Sequence, residues 1–365
     1  MTSRRHLISR RGLLGGASIL GLALFSSSRA RADLFGGAPG SAAPPAPSVP
    51  PSPSLPGGLP APTTVHVGSR VVHLVTDARG VTATLELEHA PFPAGGSGYG
   101  DPTVLVFIPH HHRVARDATV STVVHFHGHN STAERAMVAH QLREQLYESK
   151  QNAILVVPQL AVNAADSSAG KLEAPGGFAR MLGDALRTLD VAAVRTAAGA
   201  AALSPEATLG RVCVSAHSGG YHAAACALRN GGVTVHETYL FDALYADVDV
   251  FRDWVIAGHG KPMGARHKLV SYFTAGRTEA NTHAMFAELE RSGVVCAHEQ
   301  IEGTLSREEL TRAEAVSIRT ALAHGAVTSE LNSLRDCLYA SALRRNLRSS
   351  WFEAKHGARP LERRR

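Results

Sequence analysis

Along residues 71–342, short β-branched apolar runs alternate with longer stretches whose apolar positions recur at helical spacing. Val71 to Val75 and Thr82 to Leu87, separated by Asp77-Ala78-Arg79-Gly80, predict two antiparallel strands, and Val104 to Pro109 predicts a third. Further on, the runs from Ser121, Ala153 to Pro158, Arg211 to Ser215, Val235 to Phe241, Lys268 to Thr274, Val294 to His298 and Ala315 to Thr320 predict strands, several too uniformly apolar to face water on either side. Helices are predicted over Thr132 to Lys150, Gly177 to Leu189, Val191 to Ala202, the Ala-rich segment after Ser218 that Asn230-Gly231-Gly232 stops, Asp247 to Ala257, Thr282 to Ser292 and Glu330 to Ala342. Strands alternating with helices imply βαβ units. The expected fold is therefore α/β, with a mostly parallel central sheet, helices on both faces and an antiparallel N-terminal edge. No internal repeat or second break in composition divides it, which predicts one domain over residues 65–342.

Composition sets the two ends apart from this body. Residues 1–32 carry Arg4, Arg5, Arg10 and Arg11, then the apolar run Leu13 to Phe25, then Ala30-Arg31-Ala32, which has the form of a signal peptidase site. The apolar run is shorter than a bilayer span, which needs about 20 residues, and Ser9-Arg10-Arg11-Gly12-Leu13-Leu14 resembles the twin-arginine export signal. The expected location is periplasmic or secreted, with no transmembrane anchor in the mature chain. Residues 33–64 hold more than half of the 19 prolines, so this Pro/Ala/Ser-rich stretch reads as an extended linker. The formal charge of +6 is matched by the six arginines of residues 1–32, and the tail beyond residue 342 is again basic, so the body is acidic. A nucleic-acid surface on the body is not expected. Cys213, Cys226, Cys296 and Cys337 show neither metal-like nor redox spacing.

The chemistry centres on Arg211-Val212-Cys213-Val214-Ser215-Ala216-His217-Ser218-Gly219-Gly220-Tyr221. A β-branched run ends here and a helix-forming segment begins, which puts Ser218 at a strand-to-helix corner. Ala216 and Gly220, two residues to either side, are small enough for strand and helix to pass closely. Upstream, His127-Gly128-His129 ends a strand. With these two signals in that order the chain resembles the α/β-hydrolase family over essentially its whole body, with Ala216 where the family's first elbow residue is glycine. The resemblance implies a serine hydrolase, most simply a carboxylic ester hydrolase, with Ser218 as nucleophile. The N–H groups of Gly219 and His129 would form the oxyanion hole, and His324 would be the base, on the loop after the last strand of the sheet. The acid would be Asp242, directly after Tyr239-Leu240-Phe241, with Glu279 the alternative. The family's commonest plan places the acid one strand later, where Ala275-Gly276-Arg277-Thr278 offers none and Glu279 comes next.

Other readings of the same residues stay open at this level. His125, His127 and His129 alternate, so on a strand they would share one face, as imidazole ligands of a metal do, but no acid or cysteine follows at ligand spacing. Neither a GxGxxG nor a P-loop pattern occurs, so no cofactor and no metal is expected. The loop from Ala165 to Gly177 is either a wall of the acyl pocket or an ordinary connection. The expected partner is a small-molecule or cell-envelope acyl substrate. The rival function is a catalytically inactive envelope or cell-wall binding protein built on the same scaffold.

Overall fold

The computed structural model describes residues 68–199, 202–204, 206–346, 361 and 363. The expected export signal and linker, and most of the basic tail, lie outside the described residues. Among the described residues, no helix is long and apolar enough to cross a membrane.

The hairpin of β1 (Arg70–Thr76) and β2 (Gly80–Glu86) is antiparallel, and β2 pairs antiparallel with β3 (Thr103–Pro109). Its turn follows from the Asp77 carboxylate, which accepts the backbone N–H groups of Arg79 and Gly80. The chain then enters a parallel sheet through β4 (Thr119–Phe126), β5 (Ala153–Pro158), β6 (Thr208–His217), β7 (Val235–Phe241), β8 (Lys268–Phe273), β9 (Cys296–Glu299) and β10 (Ala315–Arg319). The ten strands lie in the order β1-β2-β3-β5-β4-β6-β7-β8-β10-β9. Antiparallel pairing is confined to the first three strands and the β3–β5 junction. This is the expected α/β fold, a mostly parallel sheet with an antiparallel N-terminal edge.

Because side chains alternate across a strand, each central strand feeds two cores. On β6, Val212, Val214 and Ala216 pack on one face with Phe178 and Leu189 of α3 (Gly177–Leu189), the alanines of α5 (Tyr221–Asn230), Phe251 of α6 (Val248–Gly258) and Phe286 of α7 (Arg277–Arg291). Cys213 faces the other core. It packs there with Met137 of α1 (Ala133–Ala139), Leu142 and Leu146 of α2 (Leu142–Ser149), Leu310 of α8 (Arg307–Arg312) and Leu338 of α9 (Ser333–Tyr339). The short α4 (Ala192–Ala198) adds Val194 and Ala198 to the first face.

Several boundaries differ from those the apolar spacing predicts. The helix expected over Thr132 to Lys150 is two, broken where Gln141 takes a left-handed conformation at φ 48°. The Gln145 amide then donates to the His140 carbonyl, which has lost its helical partner there. Helix α7 starts at Arg277 rather than Thr282, because Thr278 and Thr282 turn toward buried hydrogen-bond partners. The last helix begins only at Ser333, after Asn332 at φ 61°. Helix α8 is absent from the sequence expectation although Ser306 and Glu309 form a capping box around its first turn.

Candidate active site

The corner after β6 is built by close backbone packing. Ser218 sits at φ 52°, a left-handed conformation that a non-glycine residue adopts only under constraint. It opens a 3₁₀ turn, Ser218–Gly220, that runs into α5. A Cβ on Gly220 would lie 2.5 Å from the Phe126 carbonyl oxygen, and one on Gly128 would lie 2.7 Å from Ser218 Cβ. The end of β4 and the corner therefore touch main chain to main chain. Ala216, fully buried, is paired with Phe126 on one side and Leu240 on the other.

Three expected residues meet at this corner. His324 lies in the 3₁₀ turn His324–Ala326 that follows β10, and its Nε2 is 2.8 Å from Ser218 Oγ. Its Nδ1 is 2.6 Å from Asp242 Oδ2. A carboxylate at Nδ1 selects the tautomer protonated there, which leaves Nε2 to accept the serine proton. Asp242 stands directly after β7 at φ 46°, with its side chain only 1% exposed against 43% for His324. Burial alone would raise the Asp242 pKa. The hydrogen bonds from His324, Thr278 Oγ1 (2.5 Å), the Thr274 N–H (3.0 Å) and Thr274 Oγ1 (2.7 Å) outweigh it and hold the carboxyl at about 2.

Glu279, the alternative acid, and the nearby His298, His283 and Asp247 have other partners. Glu279 lies in the first turn of α7 and faces Arg319 at 3.9 Å. His298 is bound to Ser317 and Glu290, and His283 packs on Phe273. Asp247 occupies the N-cap position of α6, but its side chain makes no capping bond and instead meets His222 and Arg229.

The His127-Gly128-His129 loop is tied down from below. His127 Nδ1 donates to the Gly128 carbonyl at 2.8 Å, while its Nε2 accepts from the Leu160 N–H at 3.0 Å and meets the Gln159 amide at 2.9 Å. Burial keeps this imidazole below its ordinary pKa. The His129 ring covers Gly219 so closely that a Cβ there would be 2.1 Å from its Cδ2. His129 Nε2 bonds Ser167 Oγ at 2.7 Å, which brings the loop from Ala165 to Gly177 to the edge of the site. That loop is braced by Tyr99, whose hydroxyl donates to Asp166 at 2.9 Å. His125, His127 and His129 thus have separate partners, His125 Nδ1 being 2.9 Å from Ser215 Oγ. Among the described residues, no group of three or more His, Cys, Asp or Glu is arranged to hold a metal ion.

Thr274 and Thr278, which surround Asp242, and Tyr245, whose ring faces His324 at 6.3 Å, carry no signal in the sequence. The same holds for a file of imidazoles that ends on His324: His125 to His140 at 5.6 Å, His140 to His217 at 4.6 Å and His217 to His324 at 4.7 Å between ring centroids. A register of faces along β4 and β6 would have found His125 and His217. His140, at the end of α1, has no such signal.

No protein-family model matches the chain, and no curated protein sequence matches it. Among solved structures it is similar to a feruloyl esterase module from Clostridium thermocellum, at 10% identity over 79% of this chain and 90% of that one, with a TM-score of 0.42. It is also similar to an acetyl xylan esterase from Aspergillus awamori, at 11% identity, 67% and 93% coverage and a TM-score of 0.40. An S-formylglutathione hydrolase from Staphylococcus aureus is similar at 15% identity, 60% and 88% coverage and a TM-score of 0.35.

Proposed function

We propose that this protein is an exported serine hydrolase that cleaves an ester, amide or related acyl bond without a cofactor. The observation that carries the reading is the continuous file Ser218 Oγ, His324 Nε2, His324 Nδ1, Asp242 Oδ2, with contacts of 2.8 and 2.6 Å. Export rests on the arginine-flanked apolar run of residues 1–32.

Ser218 Oγ attacks the acyl carbon as its proton passes to His324 Nε2. Asp242, fully ionised with its pKa at about 2, stabilises the imidazolium that forms and keeps the ring in register. The negative oxygen of the tetrahedral intermediate is received by the N–H of Gly219, in the first turn of a helix where backbone donors lack carbonyl partners, and by the N–H of His129. His324 returns its proton to the leaving group, and the acyl group remains on Ser218. Water, deprotonated by the same Nε2, attacks the acyl carbon; the bond to Ser218 Oγ breaks, the acid leaves and His324 returns the proton to the serine oxygen. The half-buried Tyr221 and Tyr245 rings lie 6.4 Å apart, and the Tyr245 ring faces His324 at 6.3 Å.

Hydrolysis of aryl esters of graded acyl length by the wild type and by Ser218→Ala tests the reading. Turnover should fall by a factor on the order of 10⁴ to 10⁶ in the variant, with the melting transition preserved. Equal turnover by the two proteins would refute Ser218 as the nucleophile, and none by the wild type across the series would favour the inactive envelope-binding scaffold.

A further inference from the structure

The base stands on a loop whose tip, Ala323 to Gly325, is exposed. Between the end of β10 and the start of α9, residues 320–332 carry His324, whose Nδ1 meets Asp242 and whose Nε2 meets Ser218. Those bonds last only if the backbone beneath the ring also keeps its place. The structure ties that backbone to an unexpected side chain, the residue just before the nucleophile.

His217 is the last residue of β6 and is 8% exposed. Its Nε2–H donates to the backbone carbonyl of His324 at 3.0 Å. Its ring packs against the His324 ring, 4.7 Å between centroids and tilted by 36°. It also packs against the His140 ring, at 4.6 Å and tilted by 53°. Its Nδ1 is 3.1 Å from the position a Cβ on Gly128 would take, so the ring also runs beneath the loop proposed to hold the oxyanion. One side chain thus touches the base, adjoins the nucleophile in the chain and supports the oxyanion loop.

We propose that His217 is a positioning residue for the reaction, whose hydrogen bond to the His324 carbonyl holds the base at bonding distance from Ser218. The inference rests on the serine hydrolase reading. Packing alone does not require a histidine here, since an aromatic hydrocarbon ring would fill the space without the cost of burying two nitrogens. What the imidazole adds is a donor aimed at one carbonyl. Burial, opposed by the bond to His324 and aided by the neighbouring rings of His324 and His127, keeps its pKa at about 4. At neutral pH the ring therefore carries a single proton, and Nε2 must hold it to make the bond. Because donor and nucleophile are consecutive residues, a shift of the β6 end carries Ser218 and its base together.

Two substitutions in the full chain separate donor from ring. His217→Gln places an amide N–H near the same carbonyl without a ring, and His217→Phe keeps the ring without a donor. With an aryl ester turned over by the wild type, kcat of the Phe variant should fall about a hundredfold while KM stays within about twofold, the signature of a misplaced base rather than a lost binding contact. The Gln variant should stay within about fivefold of wild type in kcat. A folded Phe variant with wild-type kcat, or a folded Gln variant that falls as far as Phe, overturns the proposal. Should the Phe variant not fold, Gln decides alone, because a loss of kcat beyond about tenfold in a folded Gln variant contradicts a donor role. A wild type that neither turns over ester nor forms an acyl-enzyme at Ser218 would refute the hydrolase reading instead, and that is seen before either variant is made.

Discussion

Two histidine–aspartate contacts lie near the same edge of the sheet, and they are chemically unlike. In both, Nδ1 faces a carboxylate on a left-handed residue: His324 with Asp242 at 2.6 Å and φ 46°, His222 with Asp247 at 2.7 Å and φ 53°. The difference lies in what the other nitrogen and the other oxygens meet. His222 Nε2 faces Cys226 Sγ at 3.6 Å, and Asp247 shares its charge with Arg229. The sulfur, against burial and together with Asp247, pushes the His222 pKa up to about 9, so this ring is a cation at neutral pH and has no lone pair to offer. Around Asp242 the remaining donors are neutral, two threonine hydroxyls and an amide, and His324 Nε2 faces a hydroxyl. A histidine beside an aspartate is thus a fixed ion pair or a candidate base according to its second neighbour.

The largest effect that would break this comparison comes from the acids. Asp242→Asn should cost on the order of 10⁴ in kcat, by analogy with the reference Ser-His-Asp protease, because an amide favours the wrong tautomer at Nδ1. Asp247→Asn should leave kcat within about twofold, since it acts on a separate contact. Steady-state kinetics of the two variants checks both. If Asp247→Asn were the inactive one, the roles assigned to the two contacts would be reversed.

A smaller effect concerns stability, and its pH sign differs between the contacts. The Asp242 pKa is lowered from 3.8 to about 2, so its contribution is complete above pH 3.8 and is lost as pH falls through 2. The His222 pKa is raised from 6.5 to about 9, so its contribution is complete below pH 6.5 and is lost as pH rises through 9. His222→Gln should therefore cost about 1 kcal/mol at pH 6 and nothing measurable at pH 10, as read from melting curves of wild type and variant. A penalty that persisted at pH 10 would mean the contact does not depend on the ring's charge. Buried His140 and His217, held at about 3 and about 4, add stability above pH 6.5 that is lost toward those values, so the melting temperature should fall on acidification below pH 6.5. The smallest effect is that of Glu279→Gln, which should leave kcat within about twofold, because Glu279 faces Arg319 on the partly exposed start of α7.

The strand pattern of the sheet was legible because fully apolar runs such as Ala153 to Pro158 and Val235 to Phe241 have no alternative to burial on both faces. The meeting of Ser218, His324 and Asp242 was legible as an order of elements, since each residue follows a strand at the same end of a parallel sheet. What stayed hidden depends on distances between segments far apart in the chain. Thr274 and Thr278 count as solvent-facing in any pattern, yet they surround Asp242 because α7 begins at Arg277, five residues before its apolar spacing does. The break at Gln141 is invisible for the same reason: the Gln145 amide that takes the freed carbonyl looks like an ordinary surface position in a helix. His125, His140 and His217 do not stand out together in the sequence, because hydropathy ranks histidine as polar while burial here strips it of charge and packs it as an aromatic ring.

Whether His324 activates Ser218 is tested by covalent labelling, without knowledge of the substrate. A fluorophosphonate is attacked by an activated serine oxygen at phosphorus with loss of fluoride, and the adduct is located by mass spectrometry of the digested protein. The account predicts a single adduct, on the peptide containing Ser218, formed rapidly by the wild type and slowed by several orders of magnitude in His324→Ala. An adduct on another serine, or labelling of Ser218 at an undiminished rate in the His324→Ala variant, would contradict it.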